Sequence, residues 1–232
     1  QRQMCIRDST MPNKNKIVEL LDELSPEAQL IGAVNTVLND NGKLIGYNTD
    51  GYGFMQSVRD AGHDITGKNI TVMGVGGASM AICAQSALDG AASVHIFARR
   101  TSRYWNRTQK FAENLSAKTG CQVCLFDNDD HTALRDSIAQ SYLLINATSV
   151  GMVPDIDDTI IKDTSLFHPE LVVADVVYEP QETRLLREAK AAGCQTFNGM
   201  YMLLHQGAKA FQIWTGQEMP VSVIKEKYFS VK

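Results

Sequence analysis

Two groups of residues in this 232-residue chain have types and spacing that can do chemistry. One is Asn48-Thr49-Asp50-Gly51-Tyr52, which sets a carboxylate at the end of a short strand. The other is Asn69-Ile70-Thr71-Val72-Met73 running into Gly74-Val75-Gly76-Gly77-Ala78-Ser79, a glycine-rich strand-to-helix turn. The first reads as a substrate site and the second as a dinucleotide site. Together they point to hydride transfer, which neither suggests alone.

In such a turn the first glycine permits the tight bend and the second lets the backbone approach a pyrophosphate. Backbone N–H groups and the helix dipole then bind the phosphates. The candidates are Gly74, Gly76, Gly77, Ala78 and Ser79, although a serine at the third fingerprint position weakens the bare motif. From Gly77 to Arg99 is 22 positions, and Ala98-Arg99-Arg100-Thr101-Ser102-Arg103 offers no carboxylate for a ribose 2′-hydroxyl. Its guanidinium groups suit a 2′-phosphate instead, so NADP is favoured and NAD stays possible. The plainer alternative is a solvated basic helix start.

On the substrate side, Thr10-Met11-Pro12-Asn13-Lys14, Gly32-Ala33-Val34-Asn35-Thr36 and Asn48-Thr49-Asp50-Gly51 supply hydroxyl, ammonium, amide and carboxylate groups. A small polyhydroxylated substrate needs such partners in a closed site. Lys14 and Asp50 could form a proton-handling pair, the ammonium donating to a developing alkoxide. Spacing alone favours a surface lysine and a capping aspartate.

These groups must be positioned by the elements around them. Ile17, Leu20, Leu21 and Leu24 predict an amphipathic helix over 15–24. Ser25-Pro26-Glu27 starts another helix, and Asn41-Gly42 predicts a hairpin between strands 34–38 and 43–47. Asp50 caps a helix over 51–61 that ends at Gly62. Strands are expected at 69–74, 93–98, 122–126, 142–147, 171–177 and 195–198, with helices between most of them. Helices at about 200–214 and 220–229 close the chain. Strands such as Leu171-Val172-Val173-Ala174 look buried on both faces, as in a parallel sheet covered by helices. The fold class is α/β: a Rossmann-like doubly wound parallel sheet plus an incomplete α/β substrate-binding domain. The expected division is residues 1–60 for the partial substrate domain, with helices at about 207–232 packing back on it, and 61–206 for the NAD(P)-binding domain.

Composition is that of a globular protein, 44% hydrophobic and 21% charged. A net charge of −4 gives no electrostatic case for nucleic acid or an anionic membrane. No membrane-length apolar run and no signal-peptide pattern occur, so the expected location is the cytoplasm. Five scattered cysteines fit a reducing compartment, and the Cys121–Cys124 spacing lies in a strand-like run without a second pair. The five histidines show no ligand spacing, so no metal is expected. Residues 1–9 lack periodicity and read as a fragment end, a cloning remnant or a translation artefact.

The ordered phrases resemble the shikimate dehydrogenase family, in its quinate/shikimate dehydrogenase branch. Those phrases are Met11-Pro12-Asn13-Lys14, Gly32-Ala33-Val34-Asn35-Thr36, Gly46-Tyr47-Asn48-Thr49-Asp50-Gly51, the glycine turn, Asn146-Ala147-Thr148-Ser149-Val150-Gly151-Met152 and Gly199-Met200-Tyr201-Met202-Leu203-Leu204-His205-Gln206. The resemblance implies NADP-dependent, reversible reduction of 3-dehydroshikimate to shikimate in aromatic amino-acid (chorismate) biosynthesis. It implies Lys14 and Asp50 as catalytic residues, and Thr10, Asn35, Tyr178 and Gln206 as substrate-binding residues. Arg99 and Arg103 then hold the 2′-phosphate, while Thr148, Val176, Gly199 and Met202 wall the nicotinamide. The partner is a small molecule, shikimate or 3-dehydroshikimate and quinate as a further candidate, with the chain a monomer or homodimer. Ala98 stands where the family has asparagine. The family also begins several dozen residues earlier, with a strand and a serine pair gripping the substrate carboxylate. On that ground the chain is expected to bind cofactor better than it turns over substrate. Two other readings stay open: an NAD-using quinate dehydrogenase, and a non-catalytic metabolite sensor of the same fold.

Overall fold

In the computed structural model, residues 13–229 are described, and every structural statement concerns them. The chain opens with a short 3-10 helix, Lys16–Leu20, followed by β1 (Glu23–Leu24), α1 (Pro26–Ile31), β2 (Thr36–Asp40), β3 (Lys43–Tyr47) and α2 (Asp50–Asp60). Helix α1 starts as the sequence predicts. Ser25 caps it, its Oγ accepting from the Ala28 N–H at 3.2 Å, and Gly32 closes it at φ 65°. Asn41 and Gly42 both take positive φ, 53° and 95°, the twist that suits a two-residue hairpin. Accordingly β2 and β3 pair antiparallel, Thr36 opposite Tyr47 and Asp40 opposite Lys43.

The helix expected over 15–24 does not form as such. Leu21 is extended and Glu23–Leu24 pairs parallel with Ile45 and Gly46. Two effects override the helical spacing. Pro26 disfavours a helical residue before it, and Ser25 is extended at ψ 157°. The free edge of β3 also offers bonds: Asp22 N–H donates to Leu44 O at 2.9 Å and Ser25 N–H to Gly46 O at 2.8 Å. A Cβ on Gly46 would lie 2.7 Å from Val34 Cγ2, so glycine allows the close approach. Ile17, Leu21 and Leu24 still turn inward onto Ala28, Val34 and Val37, while Leu20 is 74% exposed.

From β4 (Asn69–Met73) the chain alternates: α3 (Gly77–Leu88), β5 (Ser93–Ala98), α4 (Trp105–Thr119), β6 (Gln122–Asp127), α5 (His131–Gln140) and β7 (Leu143–Asn146). Then follow β8 (Val172–Asp175), α6 (Arg184–Ala191), β9 (Gln195–Phe197), α7 (Met200–Thr215) and α8 (Val221–Ile224). The helix expected over 220–229 is thus α8 continued by a π-helical turn, Lys225–Phe229. Strands β4 to β9 form one parallel sheet in the order β6-β5-β4-β7-β8-β9. Side chains alternate across it. Ile70, Val72, Leu143 and Ile145 pack on the α3 side, and Met73, Leu144 and Val173 on the α5 and α6 side. The strand order reverses between β4 and β7, where a doubly wound sheet opens a crevice beyond its carboxyl ends.

Helix α7 lies along α2. A Cβ on Gly53 would meet the Gln206 nitrogen at 2.6 Å and the Met202 oxygen at 2.7 Å, so the two backbones nearly touch. The Trp214 indole N–H also donates to Val37 O at 3.0 Å. Cys83, Cys121, Cys124 and Cys194 are free thiols. Burial pushes Cys83 up to about 12 and Cys121 up to about 11, which makes both inert rather than redox-active. No group of three or more histidine, cysteine or acidic side chains could hold a metal among the described residues. No helix among them is long and apolar enough to cross a membrane.

Candidate active site

A cavity of about 1460 Å³ opens beyond the carboxyl ends of β4, β5, β7 and β8. One side is the glycine turn, Gly74 to Ala78, and the opposite side carries Lys14 and Asp50. The two motifs are therefore brought to one cleft from positions far apart in sequence.

Lys14 Nζ donates to Asp50 Oδ2 at 2.6 Å, with the side chains 20% and 10% exposed. Asp50, expected as the cap of α2, is its first helical residue, and Thr49 holds the cap position. The carboxylate is thereby free to meet side chains rather than its own helix. Asn35 Nδ2 donates to Asp50 Oδ1 and to Thr49 Oγ1, each at 2.9 Å. Asn35 Oδ1 accepts from Thr49 N–H at 3.0 Å and from the Thr36 hydroxyl at 2.9 Å. The Lys14 carbonyl accepts from Val34 N–H at 2.8 Å, which ties the lysine backbone to the same sheet. Asp50 is thus fixed from behind by a buried, fully used amide, and the Lys14 ammonium by its bond to that carboxylate, the condition for a rigid proton-handling pair.

Asn35 is buried behind Asp50 rather than on the cavity wall. Gln206 also lies outside the wall and accepts a 3.5 Å contact from the Thr49 hydroxyl. Tyr178 lines the cavity and is 43% exposed. Thr10 lies outside the described residues. Thr49, the junction of this network, belongs to the Asn48-Thr49-Asp50 phrase, which gave it no role of its own. Its only advance signal was its place between Asn48 and Asp50.

At the turn, Gly74 has φ 109°, a conformation that side chains rarely adopt. A Cβ there would also sit 2.8 Å from Thr148 Cγ2. At Gly76 and Gly77 a Cβ would meet nothing within 4 Å, so their backbone borders open space at the start of α3. That is a fitting cradle for a diphosphate: bare backbone, a helix N-terminus and room above it. Ser79 does not line the cavity; its hydroxyl donates to Gly74 O at 2.5 Å and clamps the bend. Arg99, Thr101, Ser102, Arg103 and Tyr104 line the neighbouring end. The Arg103 guanidinium stacks 4.7 Å from the Tyr104 ring and donates to its hydroxyl at 2.6 Å. Arg100 instead stacks on Trp105 at 4.6 Å, away from the cavity.

Thr148, Val176 and Met202 line the far wall, while Gly199 supports it by backbone packing against Val176. That wall is pinned by Asp175, which is fully buried. Its carboxylate accepts from Asn146 Nδ2 at 3.0 Å, Val177 N–H at 2.9 Å and the Thr183 hydroxyl at 2.8 Å. Asn146 Oδ1 in turn accepts from the Thr148 hydroxyl at 2.6 Å and the Thr148 N–H at 3.1 Å. Burial raises the Asp175 pKa, and these three donors oppose the rise.

This layout places the chain among the oxidoreductases that pass a hydride between a nicotinamide dinucleotide and a carbon–hydroxyl group. Residues 8–37 match the model for the shikimate dehydrogenase substrate binding domain, and residues 199–227 that for the shikimate 5′-dehydrogenase C-terminal domain. The chain is 52% identical over 220 residues to the shikimate dehydrogenase (NADP(+)) of Listeria innocua, covering 95% of this chain and 75% of that protein. It is 42% identical over 217 residues to the quinate/shikimate dehydrogenase of Escherichia coli, covering 94% and 75%. Among solved structures, the Listeria monocytogenes shikimate 5-dehydrogenase in complex with shikimate and NAD superposes with a TM-score of 0.91 at 51% identity, covering 94% of this chain and 75% of that one. The Corynebacterium glutamicum quinate dehydrogenase in complex with NAD gives 0.84 at 33% identity, covering 97% and 77%. The chain belongs to the shikimate dehydrogenase family.

Proposed function

We propose that the chain catalyses the reversible, NADP-dependent reduction of 3-dehydroshikimate to shikimate, a step toward chorismate and the aromatic amino acids. The observation that carries this is the Lys14–Asp50 pair, joined at 2.6 Å and lining the same cavity as the glycine turn. The Listeria relatives named as NADP(+) shikimate dehydrogenases support the substrate and the cofactor. Arg99 and Arg103 at one end of the cavity support NADP over NAD, since a guanidinium meets a 2′-phosphate and no carboxylate lines that end near a 2′-hydroxyl.

In this reading Gly74, Gly76, Gly77 and Ala78 hold the diphosphate, and Thr148, Val176 and Met202 face the nicotinamide. Ser79 and Gly199 shape those two surfaces from behind. The bound dinucleotide supplies the hydride, or takes it back. Lys14 directs an N–H at the ketone oxygen and holds the proton that this oxygen gains on becoming a hydroxyl. Asp50 keeps the ammonium in place and accepts from a ring hydroxyl, with Tyr178 on the same cavity; Asn35 and Gln206 act through Asp50 and Thr49 from behind the wall, and Thr10 is a further substrate-binding candidate by motif. Residues 1–60 together with helices at about 207–232 form the substrate-binding part, and 61–206 the nucleotide-binding part. The packing of α7 on α2 is in keeping with that division.

Initial rates with shikimate and with quinate, each paired with NADP+ and with NAD+, test the assignment. Shikimate with NADP+ should give the highest kcat/KM. A higher value for quinate with NAD+ would move the chain to the quinate branch, toward the Corynebacterium glutamicum enzyme. Tight nucleotide binding with no turnover of either acid would point to a sensor.

A further inference from the structure

Two loops meet at the end of the cleft beyond β7 and β8, and a single carboxylate lies under both. The two strands end side by side, with Asn146 opposite Asp175. The loop after β7 carries Thr148 to the cavity, and the loop after β8 carries Val176 and Tyr178. Asp175 has no exposed surface and is not on the cavity wall, so it touches neither substrate nor nucleotide. Burying a carboxyl costs free energy unless its oxygens are bonded, and no step of the proton or hydride transfer uses this one directly.

The bonds of Asp175 run in a definite order. Its Oδ1 accepts from both Asn146 Nδ2 and Val177 N–H, so the same atom joins the two loops. On the first branch Asn146 Nδ2 also donates to Val150 O at 3.2 Å, which turns Asn146 Oδ1 toward Thr148. The Thr148 hydroxyl donates to that oxygen and accepts from Val150 N–H at 3.1 Å. With its hydroxyl committed, Thr148 presents its methyl group to the glycine turn, where a Cβ on Gly74 would lie 2.8 Å from it. On the second branch the bond to Val177 N–H, two residues on, closes a turn around Val176. Val176 N–H donates back to Asn146 O at 2.9 Å, and Tyr178 follows directly. The other oxygen, Oδ2, accepts from the Thr183 hydroxyl at the cap of α6.

We infer that Asp175 is a positioning residue for hydride transfer: through Oδ1 it holds the nicotinamide wall, Thr148 and Val176, at a fixed spacing from Tyr178 on the substrate side. This rests on the assignment of the cleft to a nicotinamide dinucleotide and a hydroxy acid. Thr148 and Val176 hold a ring by shape, so their placement must come from the bonds behind them. Hydride transfer needs the reacting atoms about 3–3.5 Å apart, and a misplacement of about 1 Å can cost about 10²-fold. The diphosphate and the 2′-phosphate are gripped elsewhere, at the glycine turn and at Arg99 and Arg103. Loosening the wall therefore slows transfer more than it weakens binding.

The test measures two quantities on each protein. One is the single-turnover rate of hydride transfer from shikimate to NADP+, followed by nicotinamide absorbance; the other is Kd for NADPH. In Asp175→Ala the rate should fall roughly 10- to 100-fold while Kd stays within about threefold. Asp175→Asn keeps an oxygen for Asn146 and Val177, so its rate should return to within about threefold of wild type. Thr183→Val cuts the Oδ2 branch and keeps the branched shape that packs 3.4 Å from the Cβ position of Gly151. Its Tm should fall, but its rate should stay within about twofold. Thr148→Val keeps the size of the side chain and removes the hydroxyl, so it should slow transfer roughly tenfold with Kd unchanged. A wild-type rate in Asp175→Ala would overturn the assignment. So would an Asp175→Asn or a Thr183→Val as slow as Asp175→Ala, or a Kd that rises as far as the rate falls. If Asp175→Ala does not fold, Thr148→Val decides, and a wild-type rate there would overturn the assignment. In all these outcomes an active wild type leaves the proposed function standing. A wild type that transfers no hydride from shikimate or quinate overturns that function, and this inference with it.

Discussion

Replacing Asp175 separates its hydrogen-bonding role from its charge. In Asp175→Ala three donors lose their acceptor together. Asn146 Nδ2 retains Val150 O at 3.2 Å, so it is only partly orphaned. Among the described residues the Val177 N–H and the Thr183 hydroxyl donate to no second acceptor. Two buried donors left unpaired cost about 1–3 kcal/mol each, offset in part by removing a buried carboxyl, so a net loss of about 3 kcal/mol is expected. Asp175→Asn keeps one oxygen for Asn146 and Val177, and the Thr183 hydroxyl can rotate to accept from the new amide. Its loss should be about 1 kcal/mol at neutral pH. The pH dependence has a definite sign. Because burial raises the folded pKa of Asp175, the folded state holds that proton at pH values where the unfolded chain, titrating near about 3.9, has released it. The resulting stabilisation is full below the unfolded value and is lost as pH rises through the folded one. Asp175→Asn lacks this term, so its deficit relative to wild type should be largest at acid pH and shrink toward neutrality. Urea unfolding followed by tryptophan fluorescence at about pH 5 and about pH 8 measures both effects. A loss under about 1 kcal/mol in Asp175→Ala, or a deficit in Asp175→Asn that grows with pH, would refute the reasoning.

Two further perturbations probe the surfaces around the cleft. Gly53→Ala puts a methyl group against the backbone of Gln206 and Met202, forcing α2 and α7 apart. The expected loss is about 1–3 kcal/mol, seen as a drop in Tm, with a raised KM for substrate because Gln206 moves; an unchanged Tm would contradict the contact. Arg99→Ala and Arg103→Ala should each raise KM for NADP by roughly tenfold and leave NAD unchanged, measured by initial rates with both nucleotides. Equal losses for the two would mean that the arginines do not face the extra phosphate.

Much of the nucleotide-binding sheet was legible because its signals are local. Gly90, Gly120 and Gly193 end helices at φ 88°, 76° and 91°, and the apolar strands between those helices are buried. The helical spacing of Ile17, Leu20, Leu21 and Leu24 misled for the opposite reason. A strand partner some twenty residues onward and a downstream proline decided that segment, and neither enters a periodicity. The Lys14–Asp50 pair could be named from motif resemblance, but spacing alone read it as a surface lysine and a cap. Its support by Asn35 and Thr49 follows from the way the β2–β3 hairpin meets α2. Asp175 left no motif to find, and it acquires meaning from the register that sets Asn146 opposite it. Such features depend on which strands adjoin, and that is settled by tertiary packing.

The central claim is that Lys14 handles a proton in front of a dinucleotide held by other residues. Lys14→Met tests it most directly, with kcat for shikimate oxidation and Kd for NADPH measured on the same preparation. The account predicts a fall in kcat of roughly 10²- to 10⁴-fold, with Kd changed by no more than about twofold. Turnover within a few-fold of wild type would contradict it.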